Sequence, residues 1–359
     1  MQNHKTMGNP LYTEDMENCL DCSVNLQQLR GKKILLTGAT GMIGSFVVDA
    51  LMHANVTRNL NCTIIAMGRS QERAKVRFNH HWGQPHFIFI QHDVNHPLPP
   101  ELPRVDYVIH SASTTHPVAY ATEPIATVTT NIFGTLHLLN FIVSQGGGAR
   151  MVLTSSVEIY GQNRGDVEYF NEDYCGYIDC NTLRAGYPES KRLSEALCQA
   201  YYKEKGVDFV SARLPRVYGP TLLQSDTKAL SQFIRKGIAG EDIVLKSKGD
   251  QFFSYAYVAD AAAGLLTTML AGKIAEAYNI ADVTSDITLK ELAKLVAAYS
   301  GTALHFELPD NVEMAGYSTA TRAVQNASKL NKLGWKPHYD IKNGIARTLC
   351  QLRQKKVEN

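Results

Sequence analysis

The sequence predicts an α/β fold: a Rossmann-like, doubly wound parallel sheet with a smaller α/β substrate lobe at the C-terminal end. Three observations carry that expectation. Short apolar runs alternate with stretches of helical apolar spacing between residues 33 and 212, as in strands joined by crossover helices. A glycine-rich turn, Thr37-Gly38-Ala39-Thr40-Gly41-Met42-Ile43-Gly44, sits between the first such strand and the first such helix, where an open α/β sheet binds a dinucleotide. Beyond Pro220 the alternation gives way to helices mixed with very short strands.

In chain order, residues 1–30 read as an extension that adds a helical turn or two, because Asp15-Met16-Glu17 and residues 26–29 mix polar and apolar side chains. Residues 33–36 form an apolar strand and 42–52 have helical spacing. Buried strands follow at 62–67, 87–90 and 107–109, then a helix at 131–143 and a strand at 150–153. The segment around Tyr187 is a helix and 209–212 a strand. Beyond Pro220, helices at 229–239 and 289–299 mix with strands at 243–245 and 277–280. The expected division is an extension at 1–30, a dinucleotide-binding domain at 31–220, and a lobe at 221–359 from which 250–275 returns to the first domain. No low-complexity linker separates them, so a cleft between packed parts is expected.

With 359 residues, 44% hydrophobic and 19% charged, the chain has the composition of a folded globular protein. A formal charge of +2 with scattered Lys and Arg argues against nucleic acid as a partner. The first residues lack a signal-peptide apolar run, and no uninterrupted apolar stretch reaches 18 residues, so a cytoplasmic protein without membrane attachment is expected. Seven cysteines spread along the chain fit a reducing compartment. Cys19-Leu20-Asp21-Cys22 has no second pair at ligand spacing, so no metal is expected.

In the glycine turn, Gly38 allows the tight bend, Gly41 lets the backbone approach a pyrophosphate, and Gly44 permits close helix packing. Thr37, Thr40, Met42 and Ile43 complete that cradle at the helix amino end. After the second strand, an acid would bind a ribose 2′-hydroxyl and a cation a 2′-phosphate. The strand ends Ala66-Met67-Gly68-Arg69-Ser70, with Arg73 and Lys75 behind and Glu72 too far along, which favours NADP(H) over NAD(H). Downstream, Tyr187-Pro188-Glu189-Ser190-Lys191 puts a phenol and an ammonium on one helix face. The ammonium is expected to draw the phenol from about 10 towards neutrality, ready to exchange a proton with an alcohol or ketone.

These pieces occur with Asn131-Ile132-Phe133-Gly134-Thr135, Ser155-Ser156-Val157-Glu158-Ile159-Tyr160-Gly161, Arg213-Leu214-Pro215-Arg216-Val217-Tyr218-Gly219-Pro220, Tyr257-Val258-Ala259-Asp260 and Leu333-Gly334-Trp335. Over residues 31–350 the chain resembles the extended short-chain dehydrogenase/reductases of the sugar-nucleotide epimerase/dehydratase family. The resemblance implies that Ser156 positions the substrate oxygen for Tyr187, that Lys191 also holds the nicotinamide ribose, and that Glu158 is either a base acting on the sugar or a ligand of its hydroxyls. It implies cofactor contacts at Asp93, Val94, Ser111, Ala112, Ser113, Asn131, Pro215 and Val217, and substrate contacts at Thr114 and Tyr218. It also implies a homodimer through helices that include the one bearing Tyr187 and Lys191. Three residues depart from the family pattern: Val157 where dehydratases keep an acid or hydroxyl, Phe253 where many members keep a diphosphate-binding arginine, and Arg216 where an asparagine is usual. Diphosphate recognition is therefore expected at Arg216, Lys228, Arg235 or Arg322.

The Arg69 loop and these departures favour net NADPH-dependent reduction of a nucleotide-linked keto sugar, as in enzymes that form CDP-alditols for capsule polysaccharide. The alternative is an epimerase, decarboxylase or dehydratase that holds NAD tightly and uses Glu158 as base. Intact Ser156, Tyr187 and Lys191 argue against a third reading, an inactive dinucleotide-binding sensor.

Overall fold

The computed structural model describes residues 7–115, 117–307 and 320–357. Its first half runs α1 (Pro10–Cys22), β1 (Lys33–Thr37), α2 (Met42–Thr57), β2 (Thr63–Gly68), α3 (Gln71–Arg77), β3 (Phe87–Gln91), β4 (Tyr107–His110), α4 (Pro117–Thr122), α5 (Pro124–Ser144), β5 (Arg150–Ser156), α6 (Gly186–Lys205) and β6 (Asp208–Leu214). The second half runs β7 (Arg216–Tyr218), α7 (Ala229–Ala239), β8 (Ile243–Leu245), β9 (Phe252–Tyr257), α8 (Val258–Ala271), β10 (Ala277–Asn279), β11 (Asp286–Thr288), α9 (Leu289–Ser300), β12 (Leu304–Phe306), β13 (Arg322–Ala323), α10 (Ser328–Asn331) and α11 (Ile341–Val357).

Seven parallel strands form one sheet in the order β10-β6-β5-β4-β1-β2-β3. Strand alternation splits its side chains between two cores. Leu35, Val108, Met151 and Phe209 pack with Leu138, Leu139 and Ile142 of α5 and Cys198 of α6. Ile34, Leu36, Ile109, Val152 and Val210 face the other layer, with Phe46 of α2 and Leu265 of α8. Helix α5 is long and apolar enough by composition to cross a bilayer, but its Leu138, Leu139 and Ile142 are fully buried in the protein core.

The strand at 277–280 belongs to the main sheet, where Tyr278 pairs with Ala212, and not to the smaller lobe in which the sequence placed it. Helix α8 explains the difference. Its run of buried alanines packs on β5 and β6 and delivers the chain to the sheet edge. Strand β9, just before it, instead centres a four-stranded sheet with β7, β11 and β13.

The N-terminal segment is also more than a turn or two. Tyr12, Met16, Cys19 and Leu20 recur on one face of α1, which packs against α2 and α8. Two buried carboxylates tie it down. Tyr12 donates to Asp49 of α2 at 2.6 Å, and Asp49 also meets Arg77 at 2.5 Å and His81 at 2.9 Å. Burial acts to raise the Asp49 carboxyl, but Arg77 and His81 outweigh it and hold it below the ordinary range. Asp15 takes bonds from Tyr257 at 2.6 Å, Gln351 at 2.7 Å and Arg347 at 2.8 Å, linking α1 to β9 and α11.

Asp49→Ala is expected to cost about 3–5 kcal/mol in urea unfolding at neutral pH, because it strands the buried Arg77 charge. The depressed Asp49 pKa contributes stability above the unfolded value of about 4 and loses it as pH falls through the folded value, so the two proteins should converge in acid. Equal stability at pH 7 would refute the assignment.

Candidate active site

The direction in which strands are added reverses between β1 and β4, so a crevice opens at their carboxyl ends. The glycine turn follows β1 and the Ser111-Ala112-Ser113 loop follows β4. Gly38 has φ +69°, and a β-carbon there would stand 2.6 Å from the Ser111 carbonyl oxygen. At Gly44 it would stand 2.5 Å from the Gly38 oxygen, so α2 can seat against the turn only without a side chain. Gly41 caps α2 with no side-chain bond, leaving its first amides for an anion. Thr37 holds the two loops together: its hydroxyl lies 2.8 Å from His110 Nδ1 and accepts from the Ala112 amide at 3.3 Å. These features fit a dinucleotide, with Thr40, Met42 and Ile43 half-buried along the same turn.

Arg69 and Arg73 are exposed at the start of α3, where Ser70 caps the Arg73 amide at 3.2 Å. Asp93 lies within electrostatic reach of Arg69. Burial would raise its carboxyl, but bonds from Asn95 and the Arg69 charge hold it down. Val94 is buried against Gly134. Asn131 has both amide ends engaged, accepting from Ser113 and donating to Ser190, each at 2.8 Å, so it bears on the crevice through Ser113. Pro215 is buried and Val217 half-buried where the chain passes from β6 into β7.

Ser156 ends β5, and Tyr187 and Lys191 lie one turn apart on α6, all three buried. Burial pushes the Tyr187 phenol up to about 12, against the pull of the Ser156 hydroxyl. The expectation that Lys191 draws it to neutrality is therefore corrected. Lys191 Nζ donates to the Thr154 carbonyl at 2.8 Å and lies 6.0 Å from the Tyr187 ring centre, and burial lowers its own pKa to about 8. The i, i+4 spacing anticipates proximity but not the loss of water around both groups. The phenol thus keeps its proton, with Ser156 and Ser113 as neighbours that favour its release.

This chain matches the NAD dependent epimerase/dehydratase family over residues 34–281. The chain belongs to that family. Its relatives include UDP-glucuronic acid decarboxylase 1 of Danio rerio, 32% identical over 320 residues covering 89% of this chain and 72% of that protein. UDP-glucuronic acid decarboxylase 6 of Arabidopsis thaliana is 31% identical over 314 residues, covering 87% and 86%. The fold is that of dTDP-glucose 4,6-dehydratase from Streptomyces venezuelae, solved with NAD bound, at TM-score 0.77, 24% identity and coverage of 91% and 98%. UDP-glucose 4-epimerase from Thermotoga maritima gives TM-score 0.75 at 22% identity, covering 90% and 99%.

Within this epimerase/dehydratase member, the residues expected at the substrate separate into groups. Arg216 on β7 lays its guanidinium 3.4 Å from the ring centre of Phe253 on β9. Arg322 rests on the neighbouring Phe252, 5.0 Å from its ring centre, and donates to the Glu168 carbonyl, so strand alternation puts it on the other face from Arg216. Lys228 pairs with Asp226 at 3.2 Å, and Arg235 donates to the Asp226 carbonyl at 2.6 Å. Tyr218 lies in the core: it is buried, packs edge-on against Tyr257, and crowds Gly344 of α11. Thr114 is half-buried beside Ser113. Sequence reasoning missed Arg184, whose Nη2 donates to Glu158 at 2.7 Å, and Tyr120, which stacks on Tyr187 at 4.9 Å. A half-buried acid at Glu158 was the available signal that a cation must face it. A polar cavity of about 810 Å³ near Glu195, Arg213 and Glu276 contains none of the candidate residues.

Tyr187→Phe is expected to lower kcat by roughly 100-fold or more while leaving dinucleotide affinity within a few-fold. Near-normal kcat would show that the phenol is not the proton-transfer group. The sequence expectation of a 2′-phosphate contact is tested by Arg69→Ala in fluorescence titrations, where such a contact requires NADPH to weaken far more than NADH. Equal weakening would remove Arg69 from the ribose subsite.

Proposed function

We propose that this protein acts on a nucleotide-linked sugar through a transient ketone, with decarboxylation of a sugar acid as the reaction its residues and relatives favour. The observation that carries the reading is Glu158. Held by Arg184 at 2.7 Å, its carboxylate lies close enough to Tyr187 to oppose ionisation of the phenol. Net reduction of a ketone needs one proton at oxygen, which Tyr187 can supply. A carboxylate beside that phenol equips the site for proton movement at the neighbouring carbon as well.

A dinucleotide held at the Gly38-Gly41-Gly44 turn would supply reversible hydride acceptance at the carbinol carbon. Taking the proton of that carbinol hydroxyl requires Tyr187 as phenolate, its own proton having passed to solvent, a loss that Ser156, Arg184 and Ser113 favour; the phenol so formed returns the proton to the ketone oxygen, and Ser156 orients that oxygen. Once the ketone is present, the carboxyl group on the adjacent carbon leaves as carbon dioxide, and the carbon–carbon electron pair passes to the ketone oxygen as an enolate. Reprotonation of that carbon draws a proton from water, and the Glu158 carboxylate, held by Arg184 beside Tyr187, is the group we assign to relay it. Buried Val157 offers no acid or hydroxyl beside it to expel water, which favours decarboxylation or epimerisation over dehydration. The relatives named as UDP-glucuronic acid decarboxylases support the same choice.

Net reduction with NADPH remains the second reading, because Arg69 is exposed after β2 with no acid at the strand end. The two are separable, since a retained cofactor can carry a 2′-phosphate. The exposed Phe133 on α5 and Leu193 on α6 fit a homodimer built on those helices.

Turnover of a nucleotide-linked uronate in deuterium oxide, without added reductant, is expected to release carbon dioxide and place deuterium on the former carboxyl-bearing carbon. Glu158→Gln should suppress the deuterium incorporation. Product formed only with stoichiometric NADPH oxidation, and with no deuterium on carbon, would establish the reductase instead.

A further inference from the structure

We infer that Arg184 and Arg216 form a carboxylate clamp that selects a sugar acid over the corresponding neutral sugar. The inference rests on the uronate reading above and assigns its specificity to two side chains. Each guanidinium is fixed by an aromatic face: Arg184 lies 4.8 Å from the ring centre of Tyr120, and Arg216 lies 3.4 Å from that of Phe253. Each also keeps one Nη1 that is buried and has no hydrogen-bond partner among the described residues. A buried donor on a charged group is costly to leave unpaired, and two within electrostatic reach of each other point to a shared anion.

The two arginines lie within electrostatic reach of each other and of Glu158. Arg184 binds Glu158 through Nη2, which leaves Nη1 free, and its charge reaches the Tyr187 phenol. Arg216 lies within electrostatic reach of Glu158, Arg184, Tyr120 and Tyr255. Two guanidiniums against one carboxylate leave a net positive charge beside the proton-transfer tyrosine. A carboxylate on the sugar carbon next to the reacting one would meet that charge and accept bonds from both free Nη1 groups. A diphosphate, separated from the reacting carbon by the sugar ring, fits the position less well. Arg322 and Lys228 are held elsewhere, by the Glu168 carbonyl and by Asp226, while Arg235 donates through Nη2 to the Asp226 carbonyl and also keeps a buried Nη1 without a partner among the described residues.

The test uses NAD-loaded protein carrying Tyr187→Phe, so that ligands bind without turnover. Calorimetry with UDP, dTDP, CDP, GDP and ADP selects the base, and the glucuronate and glucose derivatives of that nucleoside diphosphate are then compared. The glucuronate derivative is expected to bind about ten-fold or more tightly than the glucose derivative. Adding Arg216→Met or Arg184→Met should abolish that preference and change affinity for the nucleoside diphosphate by less than about two-fold, while Arg216→Lys keeps part of it. NAD affinity and the melting transition of each variant report that the fold is intact. Absence of a glucuronate preference, or equal weakening of all three ligands, overturns the clamp; the latter assigns the arginines to the diphosphate. The decarboxylase reading fails separately, if protein with Tyr187 intact releases no carbon dioxide from the glucuronate derivative.

Discussion

The reversal of strand order between β1 and β4 is the constraint on which the rest of the molecule depends. To one side the chain adds β2 and β3, and to the other β5, β6 and β10, so the loops after β1 and β4 diverge and cannot cover the carboxyl ends of their strands. The opening is held to a fixed width by direct bonds from Thr37 to His110 and Ala112. Burial pushes His110 down to about 3, with the nearby Lys191 acting the same way, so the ring is neutral and serves as a hydrogen-bonding strut. Thr154, one strand further, donates to the His110 carbonyl at 2.7 Å while its own carbonyl accepts from Lys191. A line of short bonds therefore runs across the crevice from the glycine turn to α6.

Helix α1 ties the first half of the chain to the second. Its two anchors face opposite partners: Tyr12 reaches Asp49 on α2 in the first half, and Asp15 reaches Tyr257, Arg347 and Gln351 in the second. The anchors also differ electrostatically. Arg77 and His81 keep Asp49 below the ordinary carboxylate range, whereas at Asp15 burial outweighs the Tyr257 bond and the Arg347 charge and leaves the group above it. A second link is local: Thr221, just past β7, donates to the Met42 carbonyl in the phosphate turn at 2.9 Å.

What the sequence made legible was contiguous. The glycine turn, the Tyr187–Lys191 spacing and the Ser156 strand end are each set within a few residues, where helix and turn geometry dictate the outcome. The misreadings depend on contacts between distant positions. Asp15 meets Arg347 across 332 residues, so no window over α1 alone could show why a half-polar segment is buried. The placement of β10 follows from the path of α8, and the pairing of Arg184 with Glu158 spans 26 residues of irregular chain. The pKa of Tyr187 was misjudged for another reason. Spacing reveals charge but not desolvation, and at this depth desolvation is the larger effect.

The two departures at 216 and 253, read separately, look like the loss of one anion-binding residue and an unrelated gain of another. Register joins them. Arg216 pairs with Tyr255 in the parallel β7–β9 ladder, and Phe253 lies two residues earlier on the same face of β9. A long side chain leaning back along β7 thus falls on the Phe253 ring. The guanidinium contributed by the neighbouring strand is flattened against an aromatic surface, which restrains its torsions and leaves its edge N–H groups for a planar oxyanion. A lysine at 216 would supply charge without that fork, and an aliphatic residue at 253 would leave the guanidinium without a surface to order it. Positions 216 and 253 are therefore one unit, a guanidinium and the ring that orders it, and reading either position alone misses the pairing.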